Sequence, residues 1–199
     1  NVTGSSFADT FYLNADANVV NGRAGLDTVS YAASAEAVTV DLSSVGPQSG
    51  GFALGDVLND IENVIGSNFD DVLKGGAGTN LLKGGFGDDT LAGGAGKDVL
   101  NGEAGDDDLF GGSGQDTFVF NFSPAWGFGH DVIHDFKDGT DVIEMAGAYY
   151  SNYDSVMAHA HQDGTNVVID GVDAFGNENS IVIENMALTQ LNAGDFHFV

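Results

Sequence analysis

Six consecutive nine-residue units run from Gly66 to Val119 and fit one template: GSNFDDVLK, GGAGTNLLK, GGFGDDTLA, GGAGKDVLN, GEAGDDDLF and GGSGQDTFV. Each has Gly at position 1, Asp or Asn at position 6 and a large apolar residue at position 8. A fixed period of this kind means that one small unit is repeated and must bury its apolar residue against copies of itself. Glycines at positions 1, 2 and 4 permit positive φ and leave carbonyl oxygens uncovered, which suits a tight turn wrapped around something small. Positions 7 to 9 then form a strand whose alternate side chains face opposite ways, so position 8 (Leu73, Leu82, Leu91, Leu100, Leu109 and Phe118) points inward. One apolar residue per nine makes a thin core, and a second turn must face the first to bury it. The expectation is an all-β coil of two units per revolution, with like turns stacked 18 residues apart and strands about 4.8 Å apart. Asp71, Asp89 and Asp107 then line one edge, and Asn80, Asp98 and Asp116 the other.

Stacked carboxylates repel one another, and such a coil is unstable unless a cation sits between successive turns. Asp carboxylates and glycine-turn carbonyls are hard oxygen donors. Without Cys, and without a regular His pattern, they suit Ca²⁺ far better than zinc or another transition metal.

These units resemble the RTX calcium-binding nonapeptide GGxGxDxUx, here repeated six times in tandem. The resemblance implies a parallel β-roll in which each Ca²⁺ is held by position 6 side chains of two turns 18 residues apart, with backbone carbonyls completing the shell. Positions 2 and 4 of the earlier turn would be Ser67 and Phe69, Gly76 and Gly78, Gly85 and Gly87, or Gly94 and Gly96. Positions 1 and 3 of the later turn would be Gly84 and Phe86, Gly93 and Ala95, Gly102 and Ala104, or Gly111 and Ser113. Three positions depart from the pattern: Asn80 replaces Asp, Glu103 replaces the second Gly, and the unit at Gly66 lacks Gly at positions 2 and 4. A degenerate block near the start keeps the phase as GSSFADTFY, LNADANVVN and GRAGLDTVS, which places Asp9 and Asp27 at position 6 as further candidate ligands.

Residues 31 to 65 break the period. VTVDL (Val38 to Leu42) and IENVI (Ile61 to Ile65) alternate like strands that continue the coil, while the segment Gly46 to Gly51 reads as a bulging loop. Asp56, Asp60 and Glu62 could supply ligands there, but solvated loop acids are the favoured reading.

After Phe120 the glycines thin out. Asp131 to Phe136, Asp141 to Met145, Asn166 to Asp170 and Ser180 to Glu184 have strand composition, punctuated by DGT turns at Asp138 and Asp163. Ser151 to His161 reads as a short helix with Ser151 as N-cap and Tyr153, Val156, Met157 and Ala160 on one face. From DTFVF at Asp116 to the terminal DFHFV, this layout is similar to the C-terminal part of serralysin-type secreted proteins. That resemblance implies a β-rich segment that caps the roll and carries an uncleaved type I secretion signal ending at Asp195 to Val199. The expected organisation is therefore an N-terminal segment 1–65, a β-roll 66–120 and a cap 121–199.

The chain carries 24 Asp, 6 Glu and five basic residues, a formal net charge of −25. This excess argues against nucleic acid or an anionic membrane as partner. No apolar run is long enough to span a membrane and no N-terminal signal peptide is evident. With no Cys, metal takes over the stapling role that disulfides play in many secreted domains. The zinc-protease motif HExxH and the GxSxG nucleophile turn are both missing. His159 and His161 lie two apart, a spacing that diverges on a helix, and His130 and His134 have no evident third partner, so structural or exposed roles are expected rather than catalysis. Tyr31, Tyr149, Tyr150, Tyr153 and Trp126 are scattered in the manner of packing residues rather than of a sugar-stacking face.

The expected function is a noncatalytic module that folds on Ca²⁺ after type I export, its partners being calcium and the exporter, its location extracellular. Two alternatives stay open: a Ca²⁺-dependent polysaccharide-binding module similar to the regulatory modules of mannuronan epimerases, and the tail of a secreted enzyme.

Overall fold

The computed structural model describes residues 1–121, 127–146, 150–172 and 176–199. Seven strands precede the nonapeptides: β1 (Val2–Thr3), β2 (Thr10–Tyr12), β3 (Val19–Asn21), β4 (Thr28–Ser30), β5 (Thr39–Asp41), β6 (Val57–Asn59) and β7 (Asn63–Ile65). The repeats supply β8 (Val72–Lys74), β9 (Leu81–Phe86), β10 (Thr90–Gly96), β11 (Val99–Ala104), β12 (Asp108–Gly114) and β13 (Thr117–Asn121). Beyond them come β14 (His130–Ile133), β15 (Val142–Ala146), helix α1 (Tyr153–Met157), β16 (Ala160–Asp163), β17 (Asn166–Val172), β18 (Glu178–Ile183) and β19 (Phe196–Phe198).

The strands alternate between two faces and form two eight-stranded sheets. One runs β5-β8-β10-β12-β14-β18-β17-β16, the other β2-β4-β7-β9-β11-β13-β15-β19, and β1-β3-β6 make a small third sheet. Pairing is parallel except where β16, β17 and β18 meet antiparallel at the end of the first sheet. This is the all-β parallel roll with a β-rich cap that the repeat and the two family resemblances lead us to expect.

Register is set by the inward residue. Leu91 pairs with Leu73 on one side and Leu109 on the other, and Leu100 with Leu82 and Phe118. The columns continue past the repeats: Val40 below Leu73, Ile133 and Ile183 above Leu109, Phe11, Val29 and Val64 below Leu82, Ile143 and Phe196 above Phe118. All are buried. A one-residue slip would turn each column to solvent, so a thin core still specifies its pairing.

The segment 31–65 stays within this scheme. Its expected strands form as β5 and β7, and a third, β6, stacks on β3. The loop from Gly46 to Gly51 leaves the coil but is pinned by buried Gln48, whose Oε1 accepts the Asp41 N–H at 2.7 Å. The expected helix is shorter than its sequence pattern. Its N-cap is Asn152 rather than Ser151, through a capping box with Ser155, and Ala160 leaves the helix to enter β16. Pairing of Ala160–Asp163 with β17 satisfies that backbone better than another helical turn. Among the described residues no helix is long and apolar enough to cross a membrane.

Candidate metal centre

The turns that precede the strands of the first sheet stack along one edge, and those that precede the strands of the second sheet stack along the other. The first edge holds the turns at 66–71, 84–89 and 102–107; the second holds those at 75–80, 93–98 and 111–116.

At each turn the position 6 carboxylate folds back over the turn's own first glycine. A Cβ built on Gly84 would lie 1.9 Å from Asp89 Oδ2 and 2.8 Å from the carbonyl oxygen of Gly102 in the next coil; on Gly93 it would lie 2.6 Å from Asp98 Oδ2 and 2.8 Å from the Gly111 carbonyl. Gly22 faces Asp27 Oδ2 and the Asp60 carbonyl in the same way. Position 1 is glycine because oxygens from two successive turns occupy the space a side chain would need. Position 2 takes positive φ at Gly85, Gly94 and Gly112 and also where it is not glycine, at Arg23 (79°) and Glu103 (76°), but not at Gly76. Arg23 and Glu103 bear a local strain that glycine would not.

The two oxygens of each carboxylate differ. Oδ1 accepts the backbone N–H of the position 6 residue one coil earlier, from Asp71 to Asp89 (2.7 Å), Asn80 to Asp98 (2.8 Å), Asp89 to Asp107 (2.8 Å), Asp98 to Asp116 (3.0 Å) and Asp9 to Asp27 (2.8 Å). Oδ2 of Asp27, Asp89, Asp98, Asp107 and Asp116 is buried and accepts no hydrogen bond. A buried anionic oxygen without a donor is costly, and burial with nothing attached raises the carboxyl's pKa. Burial lifts Asp89 to about 8, Asp107 to about 7 and Asp98 to about 6, and it raises Asp116 as well. Five oxygens in equivalent places, those of Asp27, Asp89 and Asp98 on the same side as a carbonyl of the next turn, fit a hard cation between turns. Among the described residues no three His, Asp or Glu side chains gather around one point, so a cation there has to draw on the carbonyls.

Other predicted ligands are placed differently. Asp71 is buried, but its oxygens already accept from Ser67 N–H, Ser67 Oγ and Val38 N–H. Asp9 Oδ2 accepts from Ser5 N–H and Oγ. Asn80 uses both ends of its amide, Oδ1 accepting the Gly76 N–H at 2.9 Å and Nδ2 donating to the Glu62 carbonyl at 2.6 Å. Backbone residues Ser67, Phe69, Gly78, Gly87, Gly96 and Ser113 lie in the stacked turns with the remaining candidates.

The carboxylate ladder extends beyond the nonapeptides. Asp107 N–H donates to Asp131 Oδ1 and Asp116 N–H to Asp141 Oδ1, each at 3.0 Å; Asn18 N–H donates to Asp56 Oδ1 at 2.6 Å and Asp27 N–H to Glu62 Oε2 at 2.8 Å. Asp56 is fully buried and also accepts from Tyr31 Oη, which overturns its reading as a solvated loop acid. Asp60 is exposed, and it is its carbonyl that faces the Gly22 turn. A signal was present in the sequence: Asp56-Val-Leu, Asp131-Val-Ile and Asp141-Val-Ile repeat the order of Asp71-Val-Leu and Asp98-Val-Leu without its spacing.

The edges differ in charge. On the first, position 5 forms a second, exposed ladder in which Asp88 N–H donates to Asp70 Oδ1 (3.0 Å), Asp106 N–H to Asp88 Oδ1 (2.9 Å) and His130 N–H to Asp106 Oδ1 (2.8 Å). On the second, Lys97 Nζ donates to Gln115 Oε1 at 3.1 Å.

The histidines do not converge. His134 stacks on Phe110 and joins Asp108 (2.7 Å) and Glu184 (2.9 Å) across the outer face of the first sheet. Burial lowers its pKa, but both carboxylates raise it and prevail. Tyr31 and Tyr150 are buried, and Tyr153 Oη donates to the Leu191 carbonyl; Trp126 and Tyr149 lie outside the described residues.

Comparison with known proteins gives the ion. A family model for the RTX calcium-binding nonapeptide repeat matches residues 1–31, 58–91, 65–99 and 84–118. The AlgE6R3 subunit of the Azotobacter vinelandii mannuronan C5-epimerase is similar at 34% identity over 67% of this chain and 80% of that one, with a TM-score of 0.50. The AlgE6R2 subunit of the same organism's epimerase is 29% identical over 69% and 91%, with a TM-score of 0.52. The extracellular lipase LipA from Serratia marcescens shares the fold across 98% of this chain at 17% identity and a TM-score of 0.54; the chain spans 39% of the lipase's length. No curated protein matches the sequence.

Proposed function

We infer, from the premise that this chain belongs to the RTX calcium-binding nonapeptide repeat family, that it is a noncatalytic module whose folding is driven by the Ca²⁺ its repeats bind. The observation that carries this reading is the set of buried, unpartnered Oδ2 atoms of Asp27, Asp89, Asp98, Asp107 and Asp116. Each gap between like turns would hold one ion. Asp89 and Asp107 would do so with the carbonyls of Gly85, Gly87, Gly102 and Ala104, and Asp98 and Asp116 with those of Gly94, Gly96, Gly111 and Ser113. The ion supplies the positive charge that these oxygens lack. The chain supplies a preset spacing of carbonyls and an aligned stack of carboxylates.

Where Ca²⁺ is scarce, a chain of net charge −25 with a thin core does not offset its ordering entropy, and it passes unfolded through a type I exporter. Outside the cell, metal binding adds its free energy to folding. Extracellular calcium modules bind with Kd of about 10⁻⁴ to 10⁻³ M, which sets the switch between cytoplasm and medium. In this reading the segment 1–65 extends the roll at 66–120, while 121–199 caps it and carries the export signal. Calcium titration followed by circular dichroism tests the reading. Strand signal should rise cooperatively with Ca²⁺ and fall after EGTA, and a β content indifferent to exhaustive chelation would refute it.

A second reading, a polysaccharide-binding module, is favoured by the likeness to the epimerase subunits. A shallow groove of about 560 Å³ also lies on the second sheet, lined by Lys97, Gln115, Thr117, Glu144 and His197 among others. With five basic residues, an acidic glycan would need Ca²⁺ as a bridge. A glycan array probed with and without Ca²⁺ separates the two readings. A third, the tail of a secreted enzyme, is decided by the reading frame around this sequence.

A further inference from the structure

Eight turns begin with glycine at position 1 and end in Asp or Asn at position 6, and they take two forms. In the closed form the position 2 N–H donates to the position 6 side chain four residues on: Ser5 to Asp9 Oδ2 at 2.6 Å, Ser67 to Asp71 Oδ2 at 2.5 Å and Gly76 to Asn80 Oδ1 at 2.9 Å. None of these three position 2 residues has positive φ. In the open form position 2 does have positive φ, at Arg23, Gly85, Gly94, Glu103 and Gly112. The position 6 residues of those turns are Asp27, Asp89, Asp98, Asp107 and Asp116. They are the same five whose Oδ2 is buried without a donor, and none is more than 1% exposed.

The angle φ at position 2 sets the direction of the peptide that carries its N–H relative to the rest of the turn. In the open turns that N–H is used elsewhere: Glu103 donates to Asn101 Oδ1 at 3.1 Å and Gly112 to Asp135 Oδ2 at 2.8 Å. Only glycine visits positive φ without strain, so serine at position 2 favours the closed form. Each serine also adds its hydroxyl as a second donor, Ser5 Oγ to Asp9 Oδ2 at 3.0 Å and Ser67 Oγ to Asp71 Oδ1 at 2.9 Å. Gly76 closes on Asn80, an amide with no charge for a cation to offset. Arg23 and Glu103 keep the open form against their own backbone preference, and such outliers persist where function rewards them.

We propose that position 2 selects which turns hold Ca²⁺. Turns that are open at position 2 leave a bare, buried carboxylate oxygen and take the ion. Ser5 and Ser67 lock their turns by giving Asp9 and Asp71 the donors that an ion would replace. The inference rests on the calcium reading above and restricts it to the five open turns. The turns at 4–9 and 66–71 are then rungs that form without metal, one in the N-terminal block and one at the start of the tandem repeats.

The test is diffraction from crystals of the wild-type chain grown in saturating Ca²⁺, with anomalous scattering to mark the ions. Ions are expected beside Oδ2 of Asp27, Asp89, Asp98, Asp107 and Asp116 and none on Asp9 or Asp71, where the Ser5 and Ser67 N–H groups should stay in place. An ion on Asp9 or Asp71, or an open turn left empty while others fill, overturns the selection and leaves the calcium reading intact; no ion in any turn removes both. Binding stoichiometry by titration calorimetry gives an independent readout. Ser67→Gly should take up one Ca²⁺ more per chain than wild type, whereas Ser67→Ala, which keeps a side chain at position 2, should take up the same number. An unchanged count in Ser67→Gly, or a gain in Ser67→Ala, overturns φ at position 2 as the selector. If the glycine variant does not fold, the wild-type crystals decide.

Discussion

Gly84 and Gly76 are packed very differently, and single substitutions should separate them. Gly84→Ala places a methyl 1.9 Å from Asp89 Oδ2, closer than any real contact, so the carboxylate must leave the gap. Gly76→Ala meets nothing nearer than 3.9 Å and has no positive φ. In a calcium titration Gly84→Ala should raise the midpoint about tenfold or more, the loss of a charge-assisted contact worth roughly 1.5 to 3 kcal/mol, while Gly76→Ala stays near wild type. Equal midpoints in the two variants would show that the carboxylate over Gly84 is not a ligand. The two edges can be compared by the same titration. Near pH 8.5 most position 6 groups are ionised, and the Asp70, Asp88 and Asp106 charges lie within a Debye length of about 8 to 10 Å. Asp89→Asn should therefore shift the midpoint more than Asp98→Asn. Near pH 6.5 the order should narrow, because Asp89, raised to about 8, still holds its proton while Asp98, at about 6, has mostly lost it. An order that holds unchanged at both pH values would mean that turn geometry outweighs charge.

For the strands, the core is a pair of single-file columns, and each coil depends on its neighbours. Leu91, fully buried between Leu73 and Leu109, should cost about 2 to 5 kcal/mol as Leu91→Ala in the calcium-loaded protein. Leu26, 53% exposed, should stay within about 0.5 kcal/mol as Leu26→Ala; denaturant unfolding in excess Ca²⁺ measures both. The stacked turns also make the metal-free roll sensitive to pH. A carboxyl raised in the folded state keeps its proton at a pH where the unfolded chain has lost it. Below the ordinary value of 3.8 both states are protonated and no penalty arises. As pH climbs through about 6 for Asp98, 7 for Asp107 and 8 for Asp89, the roll must ionise buried groups and loses stability. In chelator, strand signal at pH 5 should exceed that at pH 8.5. A signal that is flat or rises with pH would remove the orphaned carboxylates as the cause of calcium dependence.

At the scale of the whole molecule, one sheet runs from β2 to β19 and the other from β5 to β16 without a break in pairing, with β1, β3 and β6 in a separate small sheet, so loading from β5 onward should propagate as one transition. Mg²⁺ should not substitute. Fixed carbonyls in these turns suit an ion with oxygens at about 2.3 to 2.6 Å, whereas Mg²⁺ demands about 2.0 to 2.1 Å and keeps its water; equal folding midpoints in the two ions would contradict the cage. What the sequence by itself determined was everything carried by the nonapeptide phase: the inward column from Leu73 to Phe118, the division of Asp71, Asp89 and Asp107 from Asn80, Asp98 and Asp116, and the hard-oxygen character of the ion. In a repeat the contact partner sits at a constant offset, so local pattern and long-range contact are the same information. Tertiary structure decided the rest. Asp56, Asp131 and Asp141 enter the ladder at offsets of 38, 24 and 25 residues, which inserted loops disguise and only sheet register reveals. The same register brings Lys137 onto the Gly112 carbonyl and turns Asn80 toward Glu62. Once the period lapses, a side chain's neighbour is fixed by which backbone it lies beside in the folded coil, and no spacing along the chain encodes that.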